Sequence, residues 1–114
     1  MTIRNGVRVS SASAYLRPAL RRRNLEVATE ARTTRVLFSG TAATGVEYRR
    51  GAARLTATAR REVLLAAGAI GSPQLLELSG IGNPERLQQL QIPVVAALRT
   101  VGQGLQDHVC VSYF

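Results

Sequence analysis

Residues Val63-Leu64-Leu65-Ala66-Ala67 form an apolar run with no alternation, and Gly68 closes it. A half-buried strand alternates apolar and polar side chains. A strand covered on both faces is apolar at every position, as in a parallel sheet flanked by helices. The run is therefore expected to be a buried parallel strand, which needs a neighbour on each edge and cover on each face. Ser72-Pro73 follows and signals a helix start, since Ser can cap free N–H groups and Pro fits the first helical position. Ser79-Gly80 is expected to stop that helix. Strand, tight turn and helix in this order direct backbone N–H groups and a positive dipole end toward negative charge. A plainer account is also open: Gly68, Ala69 and Gly71 allow a helix to pack closely on a strand.

The rest of the chain reads as small elements. Ser10-Ser11-Ala12-Ser13 offers capping oxygens ahead of a short helix over Ser11 to Leu20. Asn24 to Thr29 alternates and reads as a half-buried strand. Thr34 to Phe38 and Gly45 to Tyr48 are β-prone runs separated by turn formers, and Arg50-Gly51 turns into Leu55 to Thr58, which together make an antiparallel three-strand meander. Asn83-Pro84-Glu85 opens another short helix carrying Leu87 and Leu90, closed by Pro93. The tail from Thr100 to Phe114 reads as loop followed by a strand.

At 114 residues, 46% hydrophobic and 19% charged, the chain fits one small domain burying roughly two thirds of its unfolded surface. All fifteen positive charges are Arg, against seven acids, giving a formal charge of +8. Such a balance suits an anionic partner, but the Arg residues are scattered and aromatic residues for base stacking amount to 4%, so no nucleic-acid partner is expected. A lone Cys110 excludes an intrachain disulfide framework and a cysteine metal cluster. The start lacks a signal peptide's apolar core, and no stretch reaches the ~20 apolar residues of a membrane span. A cytoplasmic location is the expectation.

The run from Gly68 to Gly82, Gly-Ala-Ile-Gly-Ser-Pro-Gln-Leu-Leu-Glu-Leu-Ser-Gly-Ile-Gly, resembles at every position the second signature of the glucose-methanol-choline oxidoreductases. Further similarities lie in order on both sides: Gly6 to Pro18, Asn24-Leu25, Ala43 to Tyr48, Gln91 to Val95, and Val101-Gly102-Gln103-Gly104-Leu105-Gln106-Asp107-His108. Nearly the whole chain is covered. Gly104 stands where the family usually has Asn, which removes a side-chain amide from that loop. The family's flavin-binding G-x-G-x-x-G turn is not found in this sequence, nor is its catalytic His pair or His and Asn.

The resemblance implies an α/β fold: a fragment of an FAD-binding Rossmann-like domain with a small antiparallel β-meander, a buried parallel strand and short helices. It implies a substrate-domain-like segment over 1–24 and a partial FAD-binding domain over 25–114. The cofactor would be FAD and the partner a small alcohol, oxidised at its CH–OH group by hydride transfer to flavin. Ala67, Gly68, Ala69 and Ser72 would lie by the dinucleotide, and Thr33 would match the segment whose backbone contacts adenine. Thr33 is equally suited to a plain strand, where β-branched residues belong. No catalytic residue or metal ligand is assigned. Asp107 and His108 would brace the cofactor and substrate parts from a loop, or simply be exposed. On this reading the chain is an internal piece of a longer flavoenzyme, inactive alone and prone to aggregate through its uncovered apolar run. A remnant without function and a basic nucleic-acid-binding module remain as alternatives.

Overall fold

A computed structural model describes residues 3–109. Two short antiparallel strands, β1 (Ile3–Arg4) and β2 (Val7–Arg8), open the chain. A π-helical turn over Ala12–Leu16 then runs into α1 (Arg17–Ala19). As the serines predict, Ser13 donates its backbone N–H to the Ser10 Oγ at 3.2 Å, and the Ser13 Oγ accepts from the Ser10 N–H at 3.0 Å. The elements of this opening part pack mainly on one another.

The centre is an antiparallel meander of β3 (Ala31–Ser39), β4 (Ala42–Arg50) and β5 (Ala53–Thr58), in the order β3-β4-β5. Helix α2 (Gly68–Leu78) packs on β3. Then β6 (Ile81–Gly82), α3 (Pro84–Gln89) and β7 (Ala96–Ala97) form a miniature parallel unit in which Ile81 faces Ala96 and Gly82 faces Ala97. Asn83 caps α3, its Oδ1 accepting from the Arg86 N–H at 3.2 Å. The apolar core is small: Val36 from β3, Leu75 from α2 and Leu87 from α3, the last fully buried.

The α/β class, the meander and the short helices agree with the sequence expectations, while three segments differ. The Val63–Ala67 run pairs with no described strand, and Leu64 is 81% exposed. Its apolar character calls for flanking strands and covering helices, and no described residue supplies them. Asn24–Thr29 forms no strand for the same reason, leaving Val27 43% exposed. Helix α2 starts at Gly68, a turn before Ser72-Pro73, so Pro73 lies inside it. Small residues accept helical geometry here, and the Ser72 Oγ reaches back to accept the Ala67 N–H at 3.0 Å. The tail is irregular through Val109, and the rest of the strand expected there lies outside the described residues.

Ser79 ties the helix to the sheet. Its hydroxyl donates to the Leu75 carbonyl at 2.5 Å and accepts the Val36 backbone N–H at 2.8 Å. Val36 lies on the meander's edge strand, where β4 lies on one side only, so without Ser79 its N–H would be buried and unpaired. Gly80 then turns the chain at φ +87, and a Cβ there would sit 2.3 Å from the Pro93 carbonyl oxygen. The left-handed turn and the close approach both require Gly. The freed Gly80 carbonyl accepts from Val95 at 2.8 Å and Ala96 at 3.2 Å, which sets β7 beside β6.

A bulge organises the other end of the meander. Thr33 opposes Tyr48 and Arg35 opposes Glu47, leaving Thr34 as an extra residue in β3. Both Thr34 and Arg35 therefore reach Glu47. The Thr34 hydroxyl donates to its Oε1 at 2.7 Å and the Arg35 Nη2 to its Oε2 at 3.1 Å, while the Arg54 Nε from β5 meets Oε2 at 2.7 Å. The Arg54 hydrogen bond first, then the Thr34 hydroxyl, hold the Glu47 carboxyl down to about 2 from its ordinary 4.5, overcoming the opposing effect of desolvation.

Two outcomes are expected. Ser79→Ala should destabilise the fold by about 1–3 kcal/mol by stranding the Val36 N–H, read as a lower denaturation midpoint and faster amide exchange at Val36. The carboxylate of Glu47 binds its proton less readily folded than unfolded, so its stabilisation is complete above pH 4.5 and fades as pH falls toward about 2. Glu47→Gln should therefore flatten the loss of stability between those pH values, as followed by circular dichroism in acid titrations.

Candidate functional site

Between the meander and α2 lies a cleft of about 910 Å³. One wall is β-sheet: Thr33 and Thr34 from β3, Glu47 and Arg49 from β4, and Arg54 from β5. The other is the Val63–Ala67 run with Gly71, Leu75 and Leu78 of α2. The volume lies near the top of the ~300–1,000 Å³ range of small-molecule and cofactor sites. Val63 and Leu65 are half-buried in it, whereas Leu64 and Ala66 are exposed.

The structure brings two of the sequence-predicted site residues together here. Thr33 and Ala67 line this one cleft from opposite walls, although 34 positions separate them in the chain. The backbone of residues 63–66 makes no hydrogen bond among the described residues. That leaves a strip of amide donors and acceptors along the wall, with small Ala66, Ala67 and Gly71 beside it. Such a strip suits a flat heteroaromatic ring or a sugar approaching the backbone, as FAD requires. The residues present fit that cofactor.

The remaining predicted residues fall elsewhere. Gly68 sits at φ +83 with open space where a Cβ would be, at the first position of α2. Ala69 faces a second cleft of about 400 Å³ with Pro73, Glu77, Arg86, Gly102 and Leu105. Ser72 lines neither cleft, and its Oγ is engaged with the Ala67 N–H. Asp107 and His108 are exposed and touch each other: the carboxylate accepts the His108 backbone N–H at 2.8 Å and lies 3.0 Å from Nδ1. They lie outside both clefts.

Residue-by-residue reading missed the charged part of the large cleft. Arg32, Arg49 and Arg54 line it, and Glu47 is the acid among its lining residues. The alternation Glu47, Arg49 along β4 hinted that both share a face, but which residues oppose them depends on register. Among the described residues, no helix is long and apolar enough to cross a membrane.

Comparison with known proteins places this geometry. The GMC oxidoreductase family model matches residues 1–110. Human mitochondrial choline dehydrogenase is 56% identical over 109 residues, covering 96% of this chain and 18% of that protein. The oxygen-dependent choline dehydrogenase of Burkholderia thailandensis is 56% identical over 104 residues, covering 91% of this chain and 18% of its own length. Among solved structures, pyridoxine 4-oxidase from Mesorbium loti superposes with a TM-score of 0.73 at 33% identity over 83% of this chain and 19% of that one. An FAD-dependent oxidoreductase from Chaetomium thermophilum gives 0.71 at 35% identity over 78% of this chain and 16% of that one. The chain thus spans about a fifth of the length of the relatives it matches. With a family model matched almost end to end and a signature folded as strand-side cleft and helix, the chain belongs to the GMC oxidoreductases, whose cofactor is FAD.

Proposed function

We propose that this chain forms one wall of the FAD site in an enzyme that oxidises the CH–OH group of a small alcohol, with choline as the leading substrate. The observation that carries the reading is the meeting of Thr33 and Ala67 across one cleft beside a strip of unengaged backbone. The choline dehydrogenases at 56% identity support the substrate class. Bound FAD supplies the hydride-accepting centre that no amino-acid side chain offers.

The chain's own residues bind and orient. The Thr33 backbone faces the adenine end, and Ala67 with Gly71 permits close approach of the dinucleotide because nothing larger than a methyl projects there. Leu75, buried under the cleft, gives it an apolar side. Residues 1–24 belong with the substrate-facing part and 25–114 with the FAD-binding part, a division supported by the self-contained packing of the opening elements. Asp107 and His108, joined to each other and exposed on the closing loop, would brace the cofactor and substrate parts from there. The 114-residue chain alone has no alcohol-oxidising activity on this reading, because this sequence contains neither the diphosphate-binding glycine turn nor the catalytic His pair.

The test is an exchange: the matched stretch of the Burkholderia thailandensis enzyme is replaced by this chain. The purified chimera should carry FAD absorbance and oxidise choline. Ala67→Leu in the chimera should lower flavin affinity about tenfold, since overpacking such a contact costs ~1–3 kcal/mol. A folded chimera that holds no flavin, or an Ala67→Leu variant with unchanged affinity, would refute the assignment.

A further inference from the structure

Asparagine followed by glycine forms the loop between β1 and β2. Arg4 pairs with Val7 across it, and Asn5 and Gly6 both take positive φ, +50 and +74. A tight hairpin loop demands such a left-handed pair, and Asn-Gly supplies it with little strain. The same dipeptide holds both partners of a reaction. The Gly6 amide nitrogen lies one residue beyond the Asn5 carboxamide, and glycine has no side chain to block its approach. Both residues are exposed, and the Gly6 N–H has no hydrogen-bond partner among the described residues.

Attack of that nitrogen requires the loop to leave its turn, so the strength of the hairpin decides the rate. β1 and β2 are two residues each, exposed at every position, and pack mainly on one another. A lone two-stranded hairpin is at best marginally stable in water. The loop therefore opens often, and Asn5 samples the geometry of attack. The chain's other two asparagines lack this combination. Asn24 precedes Leu25, whose side chain hinders the nitrogen that follows. Asn83 precedes Pro84, which has no N–H to lose, and its Oδ1 is engaged by the Arg86 N–H.

We propose that Asn5 is a site of spontaneous deamidation, which changes the opening hairpin irreversibly. The Gly6 nitrogen bonds to the Asn5 Cγ, the Cγ–Nδ2 bond breaks, and ammonia leaves with the amide proton. Water then opens the cyclic imide at either carbonyl, giving aspartate or its β-linked isomer, with no oxidant or reductant consumed. Either product places a carboxylate next to Arg4. It is the first acid of a stretch where Arg4, Arg8, Arg17, Arg21, Arg22 and Arg23 meet none before Glu26. The β-linked form also adds a methylene to the main chain, so the tight turn and its Ile3–Arg8 and Arg4–Val7 register are lost.

The test incubates the chain at neutral and mildly alkaline pH, digests it after arginine and weighs the fragments. The Asn5–Arg8 fragment reports the loop, and the Asn24–Arg32 fragment is the internal control. Conversion should be confined to Asn5, faster in alkali because the amide nitrogen attacks without its proton, and should yield both aspartate and the β-linked isomer. Gly6→Ala should lose most of the conversion even though alanine strains the turn and opens the hairpin further. That separates attack by the Gly6 nitrogen from mere loosening. Unfolding in urea should speed the reaction at most about tenfold, the small protection that a marginal hairpin gives. Aspartate as the sole product, or a Gly6→Ala chain that converts as fast as the unsubstituted one, would overturn the proposal. So would an Asn5 that stays intact in the folded chain and converts only in urea.

Discussion

One hydroxyl joins the two halves of the structure. Ser79 sits at the last turn of α2, donates back to Leu75 and takes the Val36 N–H from the sheet edge. An edge strand facing a helix leaves amides that the helix backbone cannot satisfy, since its own groups are paired internally. A serine one residue past the helix solves this without adding a chain segment. The small core of Val36, Leu75 and Leu87 assembles around that bond. The cleft exists because the bond holds α2 at the sheet's edge and leaves the Val63–Ala67 run standing off the meander's face.

The same junction explains why the second cleft is separate. Ala67 and Ala69 are two residues apart, and on a helix side chains so spaced do not share a face. The opening turn of α2 thus sends Ala67 toward the sheet and Ala69 toward the loop carrying Gly102 and Leu105. Gly68 between them faces neither. A signature that reads as one continuous motif in sequence is divided by helical geometry between two surfaces.

Local signals were legible where they were chemical. Turn formers between β-prone runs marked the meander, Asn83-Pro84 marked α3, and the Gly68–Gly82 run carried the family resemblance on its own. What failed was non-local. The apolar character of Val63–Ala67 records a demand for burial, but pairing depends on neighbours that the described residues do not supply. Ser72-Pro73 looked like a helix start because both residues favour one, yet the flanking small residues let the helix begin a turn earlier. The facing of Arg32, Arg49 and Arg54 across the meander was invisible because opposition across strands is set by register, and one bulge shifts it.

That bulge reverses the parity of β3. In a regular strand, positions 32 and 35 would project to opposite faces, since side chains alternate. With Thr34 as the extra residue, Arg32 opposes Arg49 and Arg35 opposes Glu47, and both arginines share one face. Odd and even positions are thereby pooled, so the charge pattern of that face cannot be inferred by counting along the strand. A single insertion acts as a phase shift in the code that assigns residues to faces, and it puts Arg32 and Arg35 on the same face as Glu47, Arg49 and Arg54.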